Sequence, residues 1–196
     1  MLSAGSPLTR PQGHCHFFGV EVASPAEAER AIEEQALVGA SFVKLIASGG
    51  GLTPGTSPAE ADLPPEIMRR AVQAARANDM LISAHCHAVE SIVRALDTGV
   101  DIIEHASFTT QSGPRFDPKL AARMNDQGTV VSPTVISGLR IAQYIREAGP
   151  QHGQDQQAVE RLEAPRICRE IPRKRRTVAG GDGLRGGEHT VRFAGG

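Results

Sequence analysis

Net charge, cysteine and long apolar runs are all scarce in this sequence. Its 196 residues carry a formal net charge of −1, so the chain as a whole has no strong attraction to nucleic acid or to an anionic membrane. No apolar run approaches the ~20 residues of a membrane span. No basic-then-apolar signal segment opens the sequence. These absences favour an ordinary globular protein without a membrane anchor.

The three cysteines are too few and too far apart to form a disulfide framework. Their number is odd, so they cannot all pair with one another: they are Cys15, Cys86 and Cys168. A reducing cytoplasm is therefore the predicted location. Cys86 is predicted to be a packing residue, because no base lies near it in the pattern that a nucleophilic cysteine needs.

The hydrophobic pattern predicts an α/β fold. Four apolar runs are predicted to be strands, and these are 42–47, 80–84, 100–103 and 129–134. The predicted helices are 26–38, 64–78, 88–97, 117–127, 138–148 and 156–171. Residues 1–22 are rich in Gly and Pro and are predicted to be a loop entered from a strand that precedes the chain. Strands that alternate with helices predict a parallel sheet with right-handed crossovers.

Three of the predicted strands carry Lys44, His85 or His105 at or near their carboxyl ends. In a parallel α/β barrel these ends converge on one face, where the chemistry is done. Taken alone, a strand lysine can pair with an acid, and a buried histidine is often a hydrogen-bonded core residue. Two histidines on adjacent strands favour a zinc-like metal instead. A buried lysine ammonium beside them is costly unless its pKa falls or it is modified into an anion.

Five short motifs, in order, resemble the amidohydrolase superfamily, in its imidazolonepropionase-like branch with Xaa-Pro dipeptidase relatives. They are G-H at Gly13-His14, V-K-L-I-A-S-G-G at Val43 to Gly50, A-H-C-H at Ala84 to His87, G-V-D-I-I-E-H at Gly99 to His105 and S-P-T at Ser132 to Thr134. The resemblance implies an incomplete (β/α)8 TIM barrel of the metal-dependent hydrolase type, with about strands 4–7 present. A complete barrel usually takes roughly 250 residues.

The same resemblance implies roles for three residues. Lys44 would be a carboxylated lysine that bridges two metals, and His85 and His105 would be the ligands from the fifth and sixth strands. One or two divalent ions, predicted to be zinc, would then serve hydrolysis of a C–N bond in a small amide, lactam or dipeptide substrate. His14 and His87 are the candidate substrate-binding residues, although His87 fits a plain loop histidine equally well.

No catalytic base is assigned, because two parts of the family pattern are absent from the sequence. These are the His-x-His pair of the first strand and the Asp of the eighth strand. Weak or no turnover is therefore expected of this chain. Its unpaired sheet edges also predict oligomers or poor solubility.

Residues 173–196 form an Arg/Gly-rich tail after a barrel domain predicted to span residues 1–172. Three interpretations stay open: a flexible tail, a nucleic-acid patch at 173–176, and a shifted reading frame. Read one base out of frame, the codons of residues 180–187 can yield Ala-Gly-Thr-Asp-Cys-Gly-Val-Glu, which contains the family's eighth-strand Thr-Asp. The nucleotide sequence tests this. The patch supports a rival function, a non-catalytic α/β binding module, but the near-zero net charge makes nucleic acid an unfavoured partner.

Overall fold

Strands and helices alternate along the chain in the computed structural model, which describes residues 3–134. The strands are β1 (Leu8–Thr9), β2 (Val20–Glu21), β3 (Phe42–Ile46), β4 (Leu81–Ala88), β5 (Ile102–Thr110), β6 (Gly113–Pro114) and β7 (Val130–Ser132). The helices are α1 (Pro25–Leu37), α2 (Pro65–Ala77), α3 (Val89–Thr98) and α4 (Pro118–Gln127). The predicted helices at 138–148 and 156–171, Cys168, the boundary at 172 and the tail lie outside the described residues.

The strands form one sheet that is parallel except at one edge. Its order is β2-β1-β3-β4-β5, with β7 parallel to β5 and the short β6 antiparallel to the end of β5. In this register Lys44 on β3 lies opposite Ser83 on β4, and His85 on β4 lies opposite Glu104 on β5. The predicted parallel sheet is confirmed, and the register places the ionisable residues of three strands side by side.

Local sequence accounts for where the helices begin and end. At α1 the Ser24 hydroxyl accepts a hydrogen bond from the Glu27 N–H, and the Glu27 carboxylate accepts one from the Ala23 N–H at 2.7 Å. This reciprocal pattern is close to a capping box, which satisfies backbone donors that the helix leaves without a partner. Helix α3 ends at Gly99, whose φ of 78° lies in the left-handed region that glycine adopts most easily.

The core lies between the sheet and the apolar faces of the helices. The face predicted for α2 is confirmed, because all four of its predicted members are buried: Ile67, Ala71, Ala74 and Ala75. From α3, Ile92 and Leu96 join the same core cluster as Ile82 of β4 and Ile103 of β5. The predicted packing role of Cys86 agrees with its position, since it is fully buried within this cluster.

The prediction that residues 1–22 form a loop is wrong at two places. Leu8–Thr9 and Val20–Glu21 are parallel strands, and Leu8 pairs with Val20 on one side and Leu45 on the other. Two-residue strands are too short to show the alternation by which strands are recognised in sequence. Strands β4 and β5 also run further than predicted, to Ala88 and Thr110, because their polar carboxyl halves do not look like buried strand.

Leu8→Ala is expected to lower the free energy of unfolding by about 3 kcal/mol, the usual cost of emptying a buried leucine site. Leu8 is 0% exposed at the centre of the β2-β1-β3 edge of the sheet. Chemical denaturation of the purified chain measures the change. The matched control is Leu37→Ala, since Leu37 is 87% exposed and its loss should change stability by less than about 0.5 kcal/mol. Equal effects of the two substitutions would contradict the placement of β1.

Candidate metal centre

Three histidines cluster on β4 and β5, at the side of the sheet where the parallel strands end. One ligand nitrogen from each of His85, His87 and His105 can be chosen so that all three lie within 4.8 Å of one another. The ring centroids are 4.6 Å apart for His85 and His87, 4.5 Å for His85 and His105, and 4.3 Å for His87 and His105. Imidazole nitrogens at this spacing form a donor set suited to zinc and its neighbours.

Strand geometry explains two of the three positions, and an irregular backbone explains the third. His85 and His87 are two residues apart on β4, so their side chains lie on the same face. On β5, regular alternation would place Glu104 and His105 on opposite faces. The backbone instead enters the left-handed region at His105 (φ 68°) and Ala106 (φ 47°). Non-glycine residues adopt this region at a cost of about 1–3 kcal/mol each, a strain typical of functional sites.

Hydrogen bonds at Nδ1 orient two of the rings. The His87 Nδ1 lies 2.8 Å from the Ser107 hydroxyl, and the His105 Nδ1 lies 2.5 Å from the Thr134 hydroxyl. In metal-binding proteins a hydrogen bond at one ring nitrogen commonly orients the other toward the ion. The His105 Nε2 lies 2.9 Å from the His85 Nδ1.

The second ring nitrogen of His85, Nε2, tests whether the cluster fits a metal ion. The His85 Nε2 is buried and has no hydrogen-bond partner within residues 3–134. A buried polar atom without a partner costs roughly 1–3 kcal/mol, so native proteins rarely keep one without a reason. A divalent ion beside the cluster would supply the missing contact, and the three-imidazole donor set fits such an ion.

Lys44 lies beside the histidines and forms an ion pair with Glu104. The second carboxylate oxygen of Glu104 accepts a hydrogen bond from the Ser83 hydroxyl at 3.0 Å. Burial lowers the pKa of Lys44 below its ordinary value, although the Glu104 carboxylate opposes the shift. Burial acts to raise the pKa of Glu104, but the charge and hydrogen bond of Lys44 outweigh it, so this pKa is lowered.

Burial also keeps His85 and His105 neutral. It lowers the pKa of His85 well below the ordinary value, and the neighbouring His87, His105 and Lys44 act in the same direction. Burial, followed by the Lys44 charge, lowers the pKa of His105 to about 4. Because only a neutral imidazole has a lone pair to offer a metal, both rings are in their ligand form at neutral pH.

The free energy of unfolding of the metal-free chain is expected to fall as the pH drops from about 6.5 to about 4. In this window the unfolded chain binds a proton at position 105 and the folded chain does not, because the pKa of His105 is lowered from 6.5 to about 4. Stability is therefore lost toward acid, by about 1.4 kcal/mol per pH unit for each such histidine, and is constant above the window.

Urea unfolding across that pH window measures this slope. His105→Asn should flatten the profile by the contribution of one histidine. The two proteins differ only at this side chain, so the difference between their slopes is its contribution. A wild-type profile no steeper than that of His105→Asn would contradict the prediction.

His14 joins the site from a different part of the chain. It lies in the turn that follows β1, and its ring centroid is 5.0 Å from that of His85. Its Nδ1 lies 2.9 Å from the Thr53 hydroxyl, in the long loop after β3. Burial lowers the pKa of His14, although the Asp62 carboxylate opposes the shift.

The structure thus brings together all five predicted site residues: Lys44, His85 and His105 with His14 and His87. Four side-chain partners of these residues were not identified from the sequence, namely Glu104, Thr53, Ser107 and Thr134. Glu104 precedes His105 in the quoted motif and could have been found there as the acid that Lys44 needs. Thr53 and Ser107 are ordinary hydroxyl residues, and no sequence pattern distinguishes them from other loop and strand residues.

The amidohydrolase family model matches residues 2–171, which is most of the chain. The chain belongs to the amidohydrolase family. By family it is therefore a hydrolase, as the resemblance of its motifs had predicted.

Two curated proteins match parts of this chain. An uncharacterized protein of Mycobacterium tuberculosis is 27% identical over 142 residues, which cover 70% of this chain and 35% of that protein. The ochratoxinase of Aspergillus niger is 32% identical over 97 residues, which cover 50% of this chain and 19% of that enzyme. The chain thus spans about a third or less of the length of these curated relatives.

Solved amidohydrolase structures show the same fold. A prolidase complexed with N-methylphosphonate-L-proline superposes with a TM-score of 0.71 at 24% identity, over 85% of this chain and 44% of that one. The Aspergillus niger ochratoxinase superposes with a TM-score of 0.67 at 20% identity, over 81% of this chain and 41% of that one. The predicted partial barrel of the metal-dependent hydrolase type is confirmed. Among the helices within residues 3–134, none is long and apolar enough to cross a membrane.

Proposed function

We propose that this amidohydrolase chain binds a divalent metal ion through His85 and His105 and contributes to metal-dependent hydrolysis of a C–N bond. The observation that carries the proposal is the buried His85 Nε2, which has no partner within residues 3–134 and belongs to a cluster of three imidazoles. A zinc-like ion is favoured by the all-nitrogen donors. Such an ion supplies Lewis-acid polarisation of a carbonyl and activation of water.

His14 and His87 flank the two ligands and are assigned to the substrate. Their rings lie 5.0 and 4.6 Å from the His85 ring, close enough to contact a small molecule bound at the same point. The geometry also makes His87 a competing third ligand. His87→Ala separates the two roles, because loss of a ligand weakens metal binding, whereas loss of a substrate contact raises KM and leaves metal affinity unchanged.

Lys44 is proposed to become carboxylated when the complete site forms. Its lowered pKa increases the fraction of uncharged amine, the form that reacts with CO2. Until then the Glu104 carboxylate holds the ammonium in place on the sheet. Native mass spectrometry in bicarbonate buffer tests this: a mass increase of one carboxyl group should be seen in the wild type and be absent from Lys44→Arg.

The substrates we propose for the whole protein are small amides, lactams or dipeptides. This class is supported by the family and by the names of similar proteins, which include a prolidase and an ochratoxinase. The test incubates the zinc-loaded chain with an Xaa-Pro dipeptide and with an N-acyl aromatic amino acid, and measures the release of free amine. We expect weak turnover at most, because no catalytic base is assigned in this chain, and chelation and His85→Ala should both abolish whatever turnover is seen. Turnover unaffected by chelation or by His85→Ala would overturn the proposal.

A further inference from the structure

We propose that Thr53 is a positioning residue that fixes the ring proton of His14 on Nε2, so that His14 acts as a hydrogen-bond donor to a substrate oxygen. The inference rests on the proposed function, because it is that function which gives His14 a substrate. It concerns a residue of the β3–α2 loop, 39 positions from His14 in sequence.

Counting hydrogen-bond donors and acceptors around the Thr53 hydroxyl decides the tautomer. The Cys15 backbone N–H can only donate, and it donates to the Thr53 Oγ1 at 3.1 Å. The other contact of this oxygen within residues 3–134 is with the His14 Nδ1 at 2.9 Å. The hydroxyl proton therefore has one acceptor available, the His14 Nδ1. Both side chains are buried, at 5% and 4% exposure, so an unused hydroxyl proton would be costly.

A neutral imidazole carries one proton, so a ring that accepts at Nδ1 holds its proton on Nε2. In this tautomer Nε2 donates a hydrogen bond and has no lone pair in the ring plane with which to bind a metal or remove a proton. His14 is thereby assigned as a donor toward developing negative charge on a substrate oxygen. Groups of this kind stabilise transition states best when they are held in place in advance.

Two further contacts hold the ring in this position. The Thr9 hydroxyl donates to the His14 carbonyl oxygen at 2.9 Å, which ties the backbone to β1. On the other side, a Cβ on Gly50 would overlap the His14 ring at Nε2, so the bare glycine backbone is what lets the ring lie there. The loop after β3 therefore orients His14 through Thr53 and leaves room for it at Gly50.

The experiment is nitrogen-15 NMR of the histidine rings in the metal-free, full-length chain at neutral pH. The wild type and Thr53→Ser should both show His14 with a protonated Nε2 and an unprotonated Nδ1, because serine keeps the hydroxyl. Thr53→Val has nearly the same shape but no hydroxyl, so its His14 should shift toward the Nδ1–H form. The ring signals of His87 serve as an internal control and should not change.

A protonated Nδ1 on His14 in the wild type would overturn the proposal, whether or not the valine variant folds. An unchanged His14 tautomer in a folded Thr53→Val variant would also overturn it. In the hydrolysis assay, Thr53→Val should lower kcat/KM by about tenfold, as loss of one hydrogen bond does, and Thr53→Ser should restore it. Because the NMR measurement uses neither metal nor substrate, its outcome is independent of whether the proposed hydrolase activity is found.

Discussion

His85→Ala is expected to weaken zinc binding by more than about 100-fold, the upper range seen when only a hydrogen-bond partner of a metal ligand is lost. His85 is the ring at the centre of the cluster: it lies against His14, His87 and His105, and its buried Nε2 has no partner within residues 3–134. Alanine removes both ring nitrogens while leaving β4 in register with its neighbours. Without His85, the ring nitrogens of His87 and His105 are too few to hold an ion tightly.

Isothermal titration of the metal-free chain with zinc measures this effect. His105→Ala should weaken binding comparably, since both are proposed ligands. His16→Ala is the matched control, because His16 is an exposed histidine of the same chain outside the cluster, and its loss should leave the Kd within about twofold of the wild type. Equal zinc affinity in the His85→Ala and His16→Ala proteins would exclude the cluster as the metal site.

Lys44→Met in the metal-free chain is expected to lower the free energy of unfolding by about 3 kcal/mol, the low end of the cost of breaking a buried ion pair. The side chains of Lys44 and Glu104 are 16% and 25% exposed, so solvent screens them only in part. Removing the ammonium leaves the partly buried Glu104 carboxylate with the Ser83 hydroxyl as its one side-chain hydrogen-bond donor among residues 3–134.

The double variant Lys44→Met with Glu104→Leu distinguishes this explanation from simple loss of packing. Replacing both charges by apolar groups removes the unpaired carboxylate, so the double variant should be more stable than Lys44→Met alone, despite carrying one more substitution. Asp97→Asn, which breaks the exposed Arg123–Asp97 pair, is the control and should cost less than about 1 kcal/mol. Purely additive losses in the double variant would show that the pair is not the stabilising element.

Much of the fold could be predicted from the sequence because it is governed by local rules. The Ser-Pro start of α1, the apolar face of α2 and the Asp-Pro start of α4 each depend on residues within one or two helical turns. The four predicted strands were found because the strands of parallel sheets are often nearly continuous apolar runs. The strands that were missed, β1, β2 and β6, have only two residues each and are strands only because neighbours pair with them.

In the candidate site, too, the features set by local sequence could be predicted and those set by contacts between distant residues could not. Lys44, His85 and His105 could be named in advance because each follows an apolar strand core, and parallel strands bring their carboxyl ends together. The partners of the site residues differ in this respect. Glu104 is 60 residues from Lys44 but lies in a quoted motif beside His105, whereas Thr53, 39 residues from His14, has no sequence pattern that marks it. The left-handed backbone at His105, which turns its ring toward His85, has no sequence marker either, because the residue there is not a glycine.

The sequence by itself determined the alternation of strands and helices, the identity of the metal-competent residues and the resemblance to amidohydrolases. Only the tertiary structure decided how these groups contact one another: that Lys44 pairs with Glu104, that His87 lies within reach of the same ion as His85 and His105, and that Thr53 holds His14. The physical reason is the distance along the sequence over which each kind of interaction acts. Helix caps and apolar periodicity act over a few residues, whereas each contact of the site depends on sheet register and loop placement, which are set by the packing of the whole domain.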